Sequence, residues 1–233
     1  MLSVDLNCDV GESFGNYSFG NDAALMKYIS SVNIACGFHA GDAGIMQQTV
    51  ALAVKENLAI GAHPGLPDLA GFGRRYMAIT PAEAYQITIY QVGALAAFAK
   101  IAGTKLHHVK AHGALYNMAA ENDAIAHAVA KAVADLDRTL IFYGLSGSRM
   151  IEAAEKLGLK TANEVFADRS YQENRTLTPR SNAAALITDP EICLAQVISL
   201  VKDNCVYTVD NTKINLQKIK ARRFLKIMIR KRV

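Results

Sequence analysis

Asp5, Asn7, Asp9 and Glu12 fall within the single stretch DLNCDVGE, residues 5–12. On an extended strand Asp5, Asn7 and Asp9 share one face. Carboxylates gathered there could act as a general base, bind a metal, or hold hydroxyl and ammonium-like groups of a substrate. The competing reading makes Asp9, Gly11 and Glu12 a turn that caps the next helix. The clustering favours a site, because unpaired carboxylates facing an interior are costly to keep. His39 and Asp42 in GFHAGD and His63 in GAHPGLPD form a second group. An acid and two histidines from neighbouring strands could chelate a divalent metal, with Asp9, His39 and His63 as ligands. The chain lacks HExxH or a similar short ligand motif. Histidines that bond to substrate or to carboxylates, without a metal, are therefore the favoured reading.

VKAHGALYN, residues 109–117, sets Lys110, His112, Tyr116 and Asn117 among small residues that leave room for a ligand. Lys110 could hold a phosphate or carboxylate, stabilise a developing oxyanion, or pair with one of the acids. NEVFADRSY, residues 163–171, adds Glu164, Asp168, Arg169 and Tyr171. Arg169 could grip a carboxylate bidentately or take Asp168 as an internal partner. His127 reads as a helix-surface residue, and His107 as pointing away from His108. The glycines of GFHAGD and GLPDLAGFGRR form neither a P-loop nor a dinucleotide fingerprint.

The elements that must position these residues alternate between short apolar segments and amphipathic helical ones, the pattern of βα units. Candidate strands are SVDLNCDV, SVNIACGFH, LAIGAHPG, LHHVKAHG, TLIFYGLS and KTANEVFAD. Candidate helices are AGIMQQTVALAVKEN, PAEAYQITIYQVGALAAFAKIAG, NDAIAHAVAKAVADL and SRMIEAAEKLG. Thr80 is a plausible N-cap before Pro81, and Gly103 ends that helix. In the first three strands an apolar face opposes a polar or small one: Cys8 against Asp9, Ile34 against Asn33, Ile60 against His63. Parallel sheets usually bury both faces, so a polar face argues for a barrel lumen that opens into a site. His108, Lys110 and His112 share one face in the same way. The acids and histidines lie late in their strands, where barrel active sites form.

The chain of 233 residues suits one large domain, with 51% hydrophobic and 20% charged residues. No run of eighteen apolar residues appears, and the N-terminus MLSVDLNCDVGE lacks the basic and apolar regions of a signal peptide. A cytoplasmic protein without membrane contact is expected, its four cysteines free thiols. The net charge of +4 is unevenly placed, because KIKARRFLKIMIRKRV, residues 218–233, holds eight basic residues and no acid. Without it, 17 basic residues face 21 acidic ones. A nucleic-acid role would rest on that tail alone and is set aside.

DLNCDVGESFGNY, NIACGFHAGD, GAHPGLPDLAGFGRR, VKAHGALYN and NEVFADRSY, in that order, resemble the motifs of the LamB/YcsF family of 5-oxoprolinase A subunits. The resemblance covers the chain to about residue 217. It implies a deformed (βα)-barrel of the glycoside hydrolase/deacetylase kind, seven-stranded, as a single α/β domain over residues 1–217. It also implies ATP-dependent opening of 5-oxo-L-proline to L-glutamate with two companion subunits, ATP serving as co-substrate with magnesium. On that reading Asp9 or Glu12 is the general base, His63 or His112 assists proton transfer, Lys110 stabilises negative charge and Arg169 holds the substrate carboxylate. Asp5, Asn7, His39, Asp42, Tyr116, Asn117, Glu164, Asp168 and Tyr171 complete the expected substrate site. Two other functions compete: a stand-alone metal-dependent deacetylase or amidohydrolase, and a non-catalytic subunit that delivers a small acid.

The chain departs from the family pattern at its end. Members usually continue with an apolar strand ending in a Cys-x-His-Gly-Asp-Asn-like motif, then a last helix. Residues 218–233 are instead expected to form a basic tail that replaces both, through a frameshift or a substituted terminus. Such a change would leave the barrel seam open; the alternative is a natural short variant whose basic tail caps the seam or meets a partner.

Overall fold

The computed structural model describes residues 4–210, 212–216 and 225–228. Strand β1 (Asp5–Val10) is followed by a short helix α1 (Asp22–Leu25), then β2 (Ser31–Ala35), α2 (Ala43–Lys55) and β3 (Ala59–His63). The long α3 (Pro81–Ile101) leads to β4 (His108–Lys110), α4 (Gly113–Glu121), α5 (Asp123–Leu136) and β5 (Ile141–Leu145). Helix α6 (Arg149–Lys156), β6 (Lys160–Phe166), α7 (Pro190–Lys202), β7 (Cys205–Tyr207), β8 (Lys213–Asn215) and β9 (Leu225–Met228) complete the order. All six strands expected from the alternation are present. Helix α7 is not among the expected helices, although Asp189 caps it and Pro190 begins it.

The helices start where side chains satisfy their open N–H groups. Thr80 and Glu83 form a reciprocal capping box ahead of α3, with Pro81 in its first turn. Asp42 accepts from the Ile45 N–H at the start of α2, and Asn122 accepts from two N–H groups of α5. The helices bury alanine-rich faces, including Ala84 and Ala99 of α3 and Ala126 and Ala130 of α5, and α5 packs on its neighbouring helices α3, α4 and α6. Small side chains let these elements approach closely. No helix of the described residues is long and apolar enough to cross a membrane.

Strands β1 to β6 pair in sequence, all parallel, and β9 pairs with both β6 and β1 to close a seven-stranded barrel. This corrects the expectation of an open seam and agrees with the alternative of a tail that caps it. Lys226 stands opposite Asp5 on one side and Glu164 on the other, within the segment expected to lack a strand. Strand pairing uses backbone groups, and the basic residues around LKIM disguise a short apolar stretch able to supply them. Residues 218–224 and 229–233 of the expected tail lie outside the described residues. Strands β7 and β8 form a separate antiparallel pair.

The barrel lumen is filled by polar side chains bonded to one another. Asn33 donates to Asn7 Oδ1 at 2.7 Å and to Asp9 Oδ1 at 2.9 Å. His108 Nε2 bonds to Asn33 Oδ1 at 2.8 Å, and its ring stacks on Tyr143 at 4.0 Å between centroids. Gly61 makes room for that ring: a Cβ there would stand 2.1 Å from His108 Nε2. The ring is held on both sides and cannot yield. Gly61→Ala is therefore expected to lower stability by about 1–3 kcal/mol, the usual cost of overpacking, as read by urea unfolding. An unchanged midpoint would show that the lumen is looser than this packing implies.

All four cysteines are free, as expected. Burial pushes the Cys36 thiol up to about 12, so it behaves as a core side chain.

Candidate functional site

Parallel register brings the C-terminal ends of the strands to one level, as barrel sites require. Asp9 lies late in β1 opposite Asn33, His63 ends β3, Lys110 ends β4, and Glu164 lies late in β6. Their side chains converge. Lys110 Nζ stands 3.0 Å from Asp9 Oδ1 and 3.0 Å from Glu164 Oε1, and 3.5 Å from Asn7 Oδ1. Tyr116 donates its hydroxyl to Glu164 Oε2 at 2.9 Å. His63 Nε2 lies 3.2 Å from Asp9 Oδ2. Asp9 retains 17% exposure where Glu164 has none, so the network meets solvent at Asp9.

The electrostatics follow from burial and partners. Burial alone would raise the Asp9 carboxyl, but the charges of His63 and Lys110 outweigh it and hold the group well below the usual carboxylate range. Burial would lower the Lys110 ammonium, yet Asp9 and Glu164 push it above its ordinary value. Burial raises Glu164 despite Lys110, and burial together with Glu164 raises the Tyr116 hydroxyl.

The histidines can be assigned by counting donors. His63 Nδ1 donates to the Lys110 carbonyl at 2.7 Å, and His112 Nε2 donates to the Phe72 carbonyl at 2.9 Å. Burial, then the neighbouring His63, holds His112 well below the usual imidazole range, so it is neutral and its Nδ1 can only accept. That Nδ1 lies 2.9 Å from His63 Nε2. His63 Nε2 thus faces a lone pair on one side and a carboxylate on the other, and hydrogen bonding requires a proton there. His63 Nε2 is thus placed as a donor shared between Asp9 Oδ2 and His112 Nδ1.

His39 is fully buried, and neither ring nitrogen has a hydrogen-bond partner among the described residues. It stacks on His112 with centroids 3.7 Å apart and planes at 3°. Glu12, His39, His63 and His112 bring ligand atoms within 4.8 Å of one another. This group differs from the expected metal set, since Glu12 and His112 join His39 and His63 while Asp9 stays outside it. The donors would fit a divalent cation that displaces the His63 Nε2 proton: His63 and His112 each give one ring N–H to a carbonyl, the arrangement that orients histidine ligands, and the other nitrogen faces the group. The parallel rings of His39 and His112 cannot both aim in-plane lone pairs at one ion. Glu12, His63 and one of the stacked pair form the set that the present ring orientations serve.

A cavity of about 330 Å³ opens above the network, lined by Asp9, His63, Lys110, His112, Tyr116 and Asn117, with Asp168 and Arg169 on its far wall. Tyr116 and Asn117 come from α4, so VKAHGALYN is half strand end and half helix. Four expected residues have other work. Asp5 accepts from Ser30 and Ser31 at 2.8 and 2.6 Å at the opposite end of β1, four residues or about 13 Å from Asp9. Asp42 caps α2 and accepts from Gly15 N–H. Tyr171 accepts from the Phe166 N–H and is buried. Arg169 donates to the Ala185 and Thr178 carbonyls at 3.0 and 2.6 Å, which pins the segment after β6. Arg74 and Arg180 also line the cavity, and sequence reasoning misses both. Arg74 sits in GLPDLAGFGRR, where the glycines are the stronger signal, and Arg180 lies in an aperiodic segment that carries none.

The LamB/YcsF family model matches residues 4–221. The A subunit of 5-oxoprolinase from Bordetella pertussis is 56% identical over 92% of this chain and 85% of that protein. That of Bacillus subtilis is 53% identical over 93% of this chain and 84% of its own length. The crystal structure of the lactam utilization protein from Thermus thermophilus superposes with a TM-score of 0.89 at 42% identity, covering 97% of this chain and 90% of that one. With a profile match across nearly the whole barrel, the chain belongs to the LamB/YcsF family.

Proposed function

We propose that this chain is the A subunit of an ATP-dependent 5-oxoprolinase, opening the lactam of 5-oxo-L-proline to L-glutamate together with two companion subunits. The observation that carries the reading is the Asp9–His63–Lys110–Glu164 network at the floor of a ligand-sized cavity. The relatives named as 5-oxoprolinase A subunits support it.

A lactam resists water because amide resonance stabilises it and its nitrogen leaves poorly. Transfer of a phosphoryl group from magnesium-bound ATP to the amide oxygen releases ADP and makes the ring carbon electrophilic. Asp9 is the acceptor for a proton of the adding water. Its lowered carboxyl makes it a weak base, which suffices once the carbon is activated. The His63 Nε2 proton goes to the ring nitrogen as the carbon–nitrogen bond breaks, which removes the difficulty of the leaving group. A second water then displaces phosphate from the acyl phosphate and leaves glutamate. Lys110 is engaged by both carboxylates, so its role is to position Asp9 rather than to bind the oxyanion directly. Arg74 and Arg180 place positive charge on the cavity wall for the substrate carboxylate, with Tyr116 and Asn117 beside them.

The testing experiment is ATP hydrolysis by the assembled subunits as 5-oxoproline is added, with glutamate measured in parallel. Stimulation with stoichiometric glutamate is expected. Glutamate formation at an equal rate without ATP would exclude the ATP-dependent reading.

A second reading rests on the Glu12–His39–His63–His112 group: a metal-dependent amidohydrolase that acts alone. A cation there would polarise a carbonyl or lower the pKa of a bound water. On this reading the chain binds zinc in equilibrium dialysis, and His63→Ala lowers that affinity at least tenfold. Equal zinc binding by His63→Ala and the parent would remove the metal from this site.

A further inference from the structure

Another cavity, of about 310 Å³, lies where β5 passes into α6 and is lined by Ser146, Gly147, Ser148, Arg149, Glu152 and Arg175 among others. Ser146 and Ser148 are 4% and 8% exposed, and neither hydroxyl has a hydrogen-bond partner among the described residues. Ser148 stands at the N-cap of α6 yet makes no side-chain cap bond. The Ile151 N–H donates to the Ser148 carbonyl at 3.1 Å, so the missing cap acceptor leaves the Arg149 and Met150 N–H groups as the open donors at the helix start. Gly147 takes φ +74°, which turns the chain tightly between the two serines. Two buried hydroxyls, open helix N–H groups and two arginines converge on one small space.

Such a set fits an oxyanion with several acceptor oxygens. Helix N-termini attract negative charge through their N–H groups and dipole, and serine hydroxyls donate to phosphate oxygens. Glu152 is the one acid in the lining, and Arg149 holds it at 3.2 Å. Arg149 also reaches Asp123 at 3.6 Å, which leaves Arg175 as the guanidinium not engaged by a carboxylate in any ion pair among the described residues.

The cavity adjoins the network described above. The Ser146 N–H donates to the Glu164 carbonyl at 3.0 Å. The segment after β6 walls both spaces, with Asn174, Arg175 and Thr176 on this one and Leu177, Pro179 and Arg180 on the other. We propose that Ser146, Ser148, the α6 N–H groups and Arg175 form a phosphate-binding subsite that receives the phosphoryl group of a nucleotide, of an activated substrate, or of released phosphate. This deepens the ATP-dependent reading, but its test does not depend on turnover.

The test is titration of the full chain with inorganic phosphate, ADP and magnesium ATP by calorimetry, for the parent, Ser148→Asp and Arg175→Gln. Lys131→Ala, on the exposed face of α5, is the control. Ser148→Asp places a carboxylate at the helix start and is expected to abolish binding of the phosphate probes. Arg175→Gln removes one charged donor at an exposed position, so folding is preserved, and is expected to weaken binding about tenfold. Equal affinity for phosphate and nucleotide assigns the subsite to the free ion, and tighter ATP binding assigns it to the nucleotide; either supports the proposal. Affinities unchanged in both variants, or absent in the parent for all three probes, overturn it. If the complex fails to turn over 5-oxoproline while Arg175→Gln still weakens phosphate binding, the activity reading falls and this subsite stands.

Discussion

Replacing Asp9 by Asn is expected to cut 5-oxoproline-dependent ATP turnover by the assembled complex about a thousandfold, within the range that a positioned acid or base supplies. Asn keeps the shape of the side chain and an oxygen for Lys110, so the chain should stay folded. What it loses is the carboxylate that faces His63 Nε2 at 3.2 Å and meets the cavity. Without that charge the water loses its acceptor, and the His63 Nε2 donor loses the carboxylate that orients it toward the leaving nitrogen. The effect should therefore fall on kcat, with KM for 5-oxoproline little changed. A variant with kcat within a few-fold of the parent would move the chemistry away from Asp9. Loss of substrate binding with kcat intact would reassign Asp9 to recognition.

The barrel was legible in the sequence because strand alternation is a local signal. Asp9, Asn33, His63, His108 and Lys110 stand on polar faces that must have somewhere to point, and a lumen answers that. The period-two argument, however, gives a face and not a depth. Asp5 shares the face of Asp9 but lies at the wrong end of β1, where Ser30 and Ser31 take its oxygens. Asp42 and Tyr171 look like site residues because a cap or a strut uses the same polar atoms that a ligand would. Strand β9 was hidden for the opposite reason: a strong charge signal around LKIM outweighed a weak apolar one. Ser146 and Ser148 carried no signal at all. They stand out only once both hydroxyls are seen buried without partners beside a helix start.

Lys110→Met should have the largest effect on stability. The ammonium is buried and touches two carboxylates at 3.0 Å each, so its loss leaves Asp9 and Glu164 facing one another without a cation between them. Removing one partner of a buried ion pair costs about 3–5 kcal/mol, because the charge left behind stays desolvated. The pH dependence gives the cause away. In the parent, Asp9 sits well below its ordinary value, so its contribution is present above the unfolded carboxyl value and is lost only as pH falls through the folded one. Glu164 already sits above its ordinary value through burial, and without Lys110 it should rise further. A folded state that binds the extra proton gains stability as pH falls, so Lys110→Met should unfold at higher urea at pH 5.5 than at pH 7.5, a window in which the Asp9 contribution of the parent is constant. Adding Glu164→Gln should recover much of the loss at pH 7.5, since a neutral amide can still accept from Tyr116. If Lys110→Met is no less stable than the parent, or if the second substitution restores nothing, the lysine does not hold this pair of carboxylates together.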